Sequence, residues 1–367
     1  MCGKRAEVVK GISSEAPRII SWNITVRCPL RCSHCYVDAG EREAEGVLST
    51  DEAFGLIDQI CGTGKPVVVL SGGEPLLRDD LFAIARYGTD SGLRMVMGSS
   101  GFLLDRGMAA KLRESGIRAV AISLDSADPS VHDAFRGVSG VWQRAIQAIK
   151  NCHDEGMSVQ INMSVMRSDL RDVEAVIDKG TAFGVRDYQL FFPVPTGRAR
   201  QKELRGPREY EEMIRQILIR YQERGVNIRP TCAPQFRRIA EEAGLTNPSW
   251  GRGCIAGIHY CRVYANGDVT PCPYLPVSAG NVRVQSFADI WNNSPLFTAL
   301  RDPKRITGKC GRCTYKTICG GCRARAYRGS AAFSRGWCDG LARPQDLEGE
   351  ICGEDPWCPY EPGDGIA

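Results

Sequence analysis

From Arg18 to about Phe192, short apolar runs alternate with stretches whose apolar residues recur at helical spacing. The runs Arg18–Thr25, Pro66–Ser71, Arg94–Gly98, Ala119–Leu124, Ser158–Val165 and Asp187–Phe192 are rich in Val and Ile. They are too short for helices and read as buried strands. Between them lie five helical patterns. Ser49 opens the first with a capping-type start, and it runs to about Cys61. The others cover Asp79–Asp90, Asp105–Ser115, Gly140–His153 and Asp172–Phe183, and Gly116, Gly156 and Gly184 stop the last three. Repeated βα units imply a parallel sheet with helices outside. Right-handed crossovers curl such a sheet toward a barrel.

The pattern changes after Phe192. Residues 207–225 form an amphipathic helix with Tyr210, Ile214, Ile217, Leu218 and Tyr221 on one face. Asn247–Gly253 reads as a linker. The expected organisation is an N-terminal extension over 1–17, an α/β barrel over 18–206, a bridging helix and linker over 207–253, and a cysteine-rich domain over 254–367. Residues 363–367 are expected to fray. A net charge of +4 is far from that of a nucleic-acid binder. No run of 18 apolar residues predicts a membrane span. The first residues lack the apolar core of a secretory leader, which points to the cytoplasm.

Cysteine changes the picture most. Of the 17 cysteines, three lie at Cys28, Cys32 and Cys35 and ten between Cys254 and Cys358. Cys2, Cys61, Cys152 and Cys232 are scattered. Clustered thiols without a secretory leader point to metal in a reducing compartment. Cys28, Cys32 and Cys35 sit on the loop leaving the first strand, the end of a barrel where active sites form. A [4Fe–4S] cluster takes four thiolates, so three leave one iron open. A zinc site needs a fourth ligand. His34 supplies one on paper, but it is crowded between Cys32 and Cys35.

The Cys-x3-Cys-x2-Cys spacing, with His34 before the third cysteine, resembles the radical S-adenosylmethionine (SAM) superfamily. The resemblance implies an open (β/α)6 barrel, a [4Fe–4S] cluster on Cys28, Cys32 and Cys35, and SAM chelated to the open iron. Tyr36 falls beside that pocket. Gly72, Gly73 and Glu74 follow the second strand, and family positions assign them to the SAM amino group; read without the cysteines, they make an ordinary turn. Ser123 and Arg136 match positions near the SAM carboxylate and ribose, although Arg136 also fits a surface ion pair. Ser99 and Phe192 are placed around the same pocket. Asn162 faces either core or ribose.

The second cysteine field resembles the SPASM domain, which carries two auxiliary [4Fe–4S] clusters. That resemblance implies three clusters in all. It assigns Cys254, Cys261, Cys272 and Cys322 to one auxiliary cluster. Cys310, Cys313, Cys319 and one late cysteine take the other. Cys338, Cys352 and Cys358 compete for that last place, and the surrounding Asp355-Pro356-Trp357-Cys358-Pro359 favours Cys358. Zinc ribbons remain an alternative for the two Cys-x2-Cys pairs.

Around Cys254, Cys272 and Cys319-Gly320-Gly321-Cys322 the chain looks most like radical SAM enzymes of heme and heme d1 biosynthesis, above all the iron-coproporphyrin decarboxylases. The implied substrate is a carboxylate-bearing tetrapyrrole, and the implied electron source a ferredoxin or flavodoxin. Arginine forks suit carboxylates. Arg198, Arg200, Arg323 and Arg325 are the candidates, against a reading of each as a solvated or backbone-anchoring charge. The alternative is a peptide maturase. Only 27 residues precede Cys28, too few for a fused leader-binding domain, and Pro273 stands where sulfatase maturases place an aspartate base. A non-catalytic electron carrier has no need of the Gly72-Gly73-Glu74 turn.

Overall fold

The computed structural model describes residues 16–199, 204–329 and 351–363. Seven parallel strands follow one another across the sheet: β1 (Ile19–Thr25), β2 (Val67–Gly72), β3 (Arg94–Ser99), β4 (Ala119–Ser123), β5 (Ser158–Ser164), β6 (Asp187–Phe191) and β7 (Asn227–Thr231). Helices α1 (Thr50–Cys61), α2 (Leu81–Asp90), α3 (Arg106–Glu114), α4 (Pro129–Arg136), α5 (Val141–Asp154), α6 (Leu170–Ala182) and α7 (Pro207–Tyr221) connect them. Ser49 caps α1 in the expected reciprocal box with Glu52.

Exposure alternates along the strands. On β5, Val159, Ile161 and Met163 are buried while Gln160, Asn162 and Ser164 are half-exposed. Successive side chains point to opposite faces of a sheet. One face therefore packs under the helices, and the other lines a polar lumen. Across β5, β6 and β7 that lumen carries a hydrogen-bonded row, Asn162–Gln160–Gln189–Thr231.

The sheet continues past the six expected strands at both edges. β7 adds to β6 in parallel, Asp187 opposite Asn227. Pro230 hid this strand in the sequence, because a proline argues against a central strand, yet an edge strand tolerates it. After α8 (Phe236–Glu242) the chain crosses to the other side of the sheet. There β8 (Tyr260–Val263) pairs in parallel with β1, Ile20 opposite Cys261. β9 (Asp268–Thr270) and β10 (Gly280–Asn281) extend it antiparallel, giving the order β10-β9-β8-β1-β2-β3-β4-β5-β6-β7. Short helices α9 (Phe287–Asn293), α10 (Pro295–Arg301), α11 (Gly308–Arg312) and α12 (Arg323–Gly329) complete the cysteine-rich region. Among the described residues no helix is long and apolar enough to cross a membrane.

Candidate active site and cysteine centres

The loop after β1 is held from three sides. From the α4 side, the carbonyls of Arg136 and Phe135 accept from the amides of Arg31 and Ser33, both at 3.1 Å. Gly137 ends α4 with φ +75°, and a Cβ there would meet the Arg31 carbonyl at 2.7 Å. Within the loop, the Cys28 amide donates to Gly40 O at 2.7 Å and the Ala39 amide to Cys35 Sγ at 3.3 Å. From the loop after β6, Gly197 lies with φ +57° against the Cys35 carbonyl, too close for any Cβ. Arg198 then donates from its amide to Cys35 O at 3.0 Å and from Nε to Cys32 O at 2.8 Å. Its Nη1 reaches Asp38 Oδ1 at 2.8 Å. Arg198, expected at a substrate carboxylate, is thus a brace of the cysteine loop. Arg200 lies outside the described residues.

Cys28 and Cys32 are buried, and Cys35 is half-buried beside them. Burial pushes the Cys28 thiol up to about 12. It also raises Cys32, against the opposing charge of Arg136, whose Nη1 lies 3.8 Å from Cys32 Sγ. Arg136 is no surface charge: its Nε binds Asp125 Oδ2 at 2.6 Å, and both side chains are buried. His34 stacks on Phe135 with ring centroids 4.2 Å apart. Burial drives its pKa down to about 3, so the ring is neutral.

Behind the loop, Gly72 has φ +145°, and a Cβ on it would collide with Thr25 O; one on Gly73 would collide with Arg27 O. This close approach lets the Gly73 and Glu74 amides bond to Thr25 O and Arg27 O at 2.9 and 2.8 Å. The Glu74 carboxylate is fully buried. It accepts from Ser99 Oγ at 2.9 Å, Ser100 N at 3.0 Å and Ser100 Oγ at 2.5 Å. Expected to meet an ammonium, it here locks the end of β3 to the Gly72-Gly73 turn. Ser123 pairs with Asn162 across β4 and β5, at the lumen. Phe192 does not join them. It is 3 % exposed and packs edge-on against Tyr210 of α7, so it belongs to the core.

Tyr36 turns toward the β8 side of the lumen. Its hydroxyl donates to Asn23 Oδ1 at 3.3 Å, its ring meets Tyr274 at 5.5 Å, and Arg262 of β8 stacks over it at 4.7 Å. Sequence reasoning missed Arg262, which sits unremarked between Cys261 and Val263.

The second cysteine field forms two groups. Cys310, Cys313, Cys319 and Cys358 line one small pocket, together with Gly320, Gly321 and Asp355. Burial pushes Cys319 up to about 12 and Cys358 to about 11, and each is raised further by Cys310. In the other group burial raises the thiols of Cys232, Cys272 and Cys322, and the neighbouring Cys254 raises each of them further. Cys261 stands apart. On β8 it alternates with Tyr260 and Arg262, so it faces the helix layer, fully buried near Arg301 of α10. Cys232, just after β7, is the thiol that lies beside Cys254, Cys272 and Cys322 instead. Its backbone has φ +59°, a strained conformation for a side chain other than glycine.

Asp355 joins the two groups. Its Oδ2 accepts from the Cys322 amide at 2.8 Å, and its own amide donates to Cys310 Sγ at 3.4 Å. Arg325 binds it in a fork at 2.9 and 2.7 Å and donates to Cys232 O at 2.5 Å. Arg323 donates to Gly321 O, Ile351 O and Gly353 O. Both arginines are buried and engaged with protein, so neither is the substrate clamp expected of it. Cys352 is buried in the core, and Cys338 lies outside the described residues. Among the described residues no three ligating side chains close on a single-ion site.

Residues 22–180 match the model of the radical SAM superfamily, and residues 254–323 match SPASM, an iron–sulfur cluster-binding domain. The chain is 38% identical to the AdoMet-dependent heme synthase of Methanosarcina barkeri, over 95% of this chain and 98% of that protein. It is 30% identical to the Fe-coproporphyrin III synthase of the same organism, over 89% of this chain and 88% of that one. Its fold superposes on SuiB of Streptococcus suis bound to S-adenosylmethionine with a TM-score of 0.74 at 17% identity, covering 94% of this chain and 78% of SuiB.

Proposed function

Because this chain belongs to the radical SAM superfamily and carries a SPASM iron–sulfur domain, related to the heme and coproporphyrin synthases, we propose that it oxidatively decarboxylates propionate side chains of an iron-coproporphyrin. The observation that carries this reading is the 38% identity to an AdoMet-dependent heme synthase along nearly the whole of both chains.

The donor sets fit the cofactors of such an enzyme. Cys28, Cys32 and Cys35 offer three thiols, which suits a [4Fe–4S] cluster with one iron left for SAM. Cys310, Cys313, Cys319 and Cys358 surround one cavity and suit a second. Cys232, Cys254, Cys272 and Cys322 suit a third, with Cys232 in the role the spacing gave to Cys261. When bound, the first cluster with SAM supplies a carbon radical that removes a hydrogen atom, and the SPASM centres supply an acceptor for the electron left after carbon dioxide departs. The propionate thereby loses one hydrogen atom, one carbon dioxide and one electron and becomes a vinyl group.

The chain's own residues position this chemistry. Arg198 and the end of α4 fix the cysteine loop. Glu74, through Ser99 and Ser100, sets the backbone of Gly72 and Gly73 at the mouth of the lumen, where the SAM methionine portion is placed. Arg136 lies beside Cys32, with Ser123 and Asn162 further along the same rim, on the side assigned to the SAM carboxylate and ribose. The electron source is a ferredoxin or flavodoxin in a reducing cytoplasm.

The test is mass spectrometry after anaerobic incubation of reconstituted protein with iron-coproporphyrin, SAM and a reductant. Successive losses of a carboxyl group plus a hydrogen are expected. Unchanged porphyrin, with SAM cleavage stimulated by a peptide instead, would transfer the chain to the peptide maturases.

A further inference from the structure

Arg262 is 4 % exposed, yet it has no carboxylate partner among the described residues. Its hydrogen-bond partners are neutral: Ser21 Oγ at 3.4 Å from Nη1, and Asn23 Oδ1 and the Tyr36 hydroxyl on Nη2. Its Nε is buried with nothing to bond, as is Nδ2 of Asn23 beside it. Other buried arginines meet a carboxylate or, like Arg323, two or more backbone carbonyls; Arg262 has neither among the described residues. Arg136 has Asp125, Arg238 has Glu211 and Glu242, and Arg325 has Asp355. An unpaired buried charge costs several kcal/mol in general, which is why such charges are paired or meet a charged ligand.

The surroundings indicate which ligand. The guanidinium lies over the Tyr36 ring at 4.7 Å and beside the Tyr264 ring at 5.8 Å, and Tyr274 closes on Tyr36. Strand alternation sets Arg262 on the polar face of the sheet with Ser21 and Asn23 of β1, opposite to the face of Cys261 and Val263, which pair with the core residues Ile20 and Trp22. Tyr36 immediately follows Cys35, and Tyr274 lies two residues after Cys272. The arginine therefore stands between the loop of the first cluster and a SPASM centre, among aromatic faces.

We infer that Arg262 is the clamp for a carboxylate of the substrate, holding one propionate of a flat aromatic macrocycle whose ring lies against Tyr36, Tyr264 and Tyr274. This rests on the tetrapyrrole reading above and names the residue that reads its acid groups. A propionate held there lies beside Tyr36, the residue that follows the last cysteine of the first loop. The electron released with carbon dioxide then has Cys272 on its other side. SAM also carries a carboxylate, so the test separates the two sources.

The experiment measures equilibrium binding of iron-coproporphyrin III and of its tetramethyl ester to the reconstituted protein, by the porphyrin absorption band. SAM binding and iron content are measured in parallel. Two variants are used. Arg262→Gln removes the charge. Asn23→Asp keeps the arginine but gives it an internal carboxylate at an atom it already touches, and so carries the test even if Arg262→Gln does not fold. Wild type is expected to prefer the acid over the ester. Both variants are expected to lose about 10- to 100-fold for the acid, the scale of a hydrogen bond to a charged group, with ester, SAM and iron unchanged. Acid binding as tight in Asn23→Asp as in wild type overturns the inference. So does a loss of SAM binding with porphyrin binding intact, which would give the charge to SAM. A wild type that binds neither porphyrin overturns the tetrapyrrole reading itself, and this inference with it.

Discussion

A single side chain decides what each cysteine can do. Cys261 and Cys232 have equal claims by residue type, but strand alternation turns Cys261 to the helices, while the bend after β7 brings Cys232 to Cys254, Cys272 and Cys322. Cys232→Ser is expected to lower iron by about four atoms per chain in anaerobically reconstituted protein, from about twelve for three clusters. Cys261→Ser is expected to leave the iron content unchanged. Iron and sulfide analysis with electron paramagnetic resonance checks both; full iron in Cys232→Ser returns the fourth place to another ligand. The arginines show the same rule. Arg198, Arg323 and Arg325 looked available for a substrate and are held by backbone carbonyls or carboxylates, whereas Arg262 drew no notice among its neighbours and bonds only to neutral side chains.

At the level of elements, the cysteine-rich segment docks on the barrel's first helix. Arg283, after β10, forks onto Glu52 of α1 at 2.5 and 2.8 Å and also donates to Gly46 O at 2.6 Å. The hydrogen bond from Arg283, with the Ser49 amide, brings the Glu52 carboxyl down to about 2 from 4.5. A depressed carboxyl stabilises the fold fully above its unfolded value near 4.5, and the gain is lost as pH falls toward 2, so it is constant around neutral pH. Glu52 and Arg283 are both over a third exposed at the side chain, and solvent screening reduces the pair to about 0.5–1 kcal/mol. A double-mutant cycle of Glu52→Gln and Arg283→Met by chemical denaturation is expected to return that coupling, shrinking with added salt.

For the whole molecule, the sheet is the unit of construction. β8, from the cysteine-rich region, pairs with β1, the strand that carries the cysteine loop, and β7 covers β6. A chain ending after Arg205 keeps β1 to β6 but exposes both as unpaired edges, with the apolar face once covered by α7. It is expected to aggregate, read as a void-volume peak in gel filtration, where the full-length chain elutes as a folded species. A soluble, monomeric truncated chain would show that the barrel folds alone.

What the sequence determined by itself is local. Apolar runs, glycine stops and the Ser49 capping box place β1 to β6 and five of the six helices between them, α4 being the one missed, because hydrophobic period and cap chemistry act over a few residues. The spacing of Cys28, Cys32 and Cys35 is likewise confined to one loop. What only the tertiary structure decided is which distant side chains meet. Pro230 concealed β7, and an arginine within a cysteine field concealed β8. The crossing of the chain from β7 to β8 then brought Cys232 and Arg262 to the two sides of the site. Neither meeting leaves a periodic mark in the sequence, because a thiol or a guanidinium reads alike at every position until the sheet fixes which face it points to.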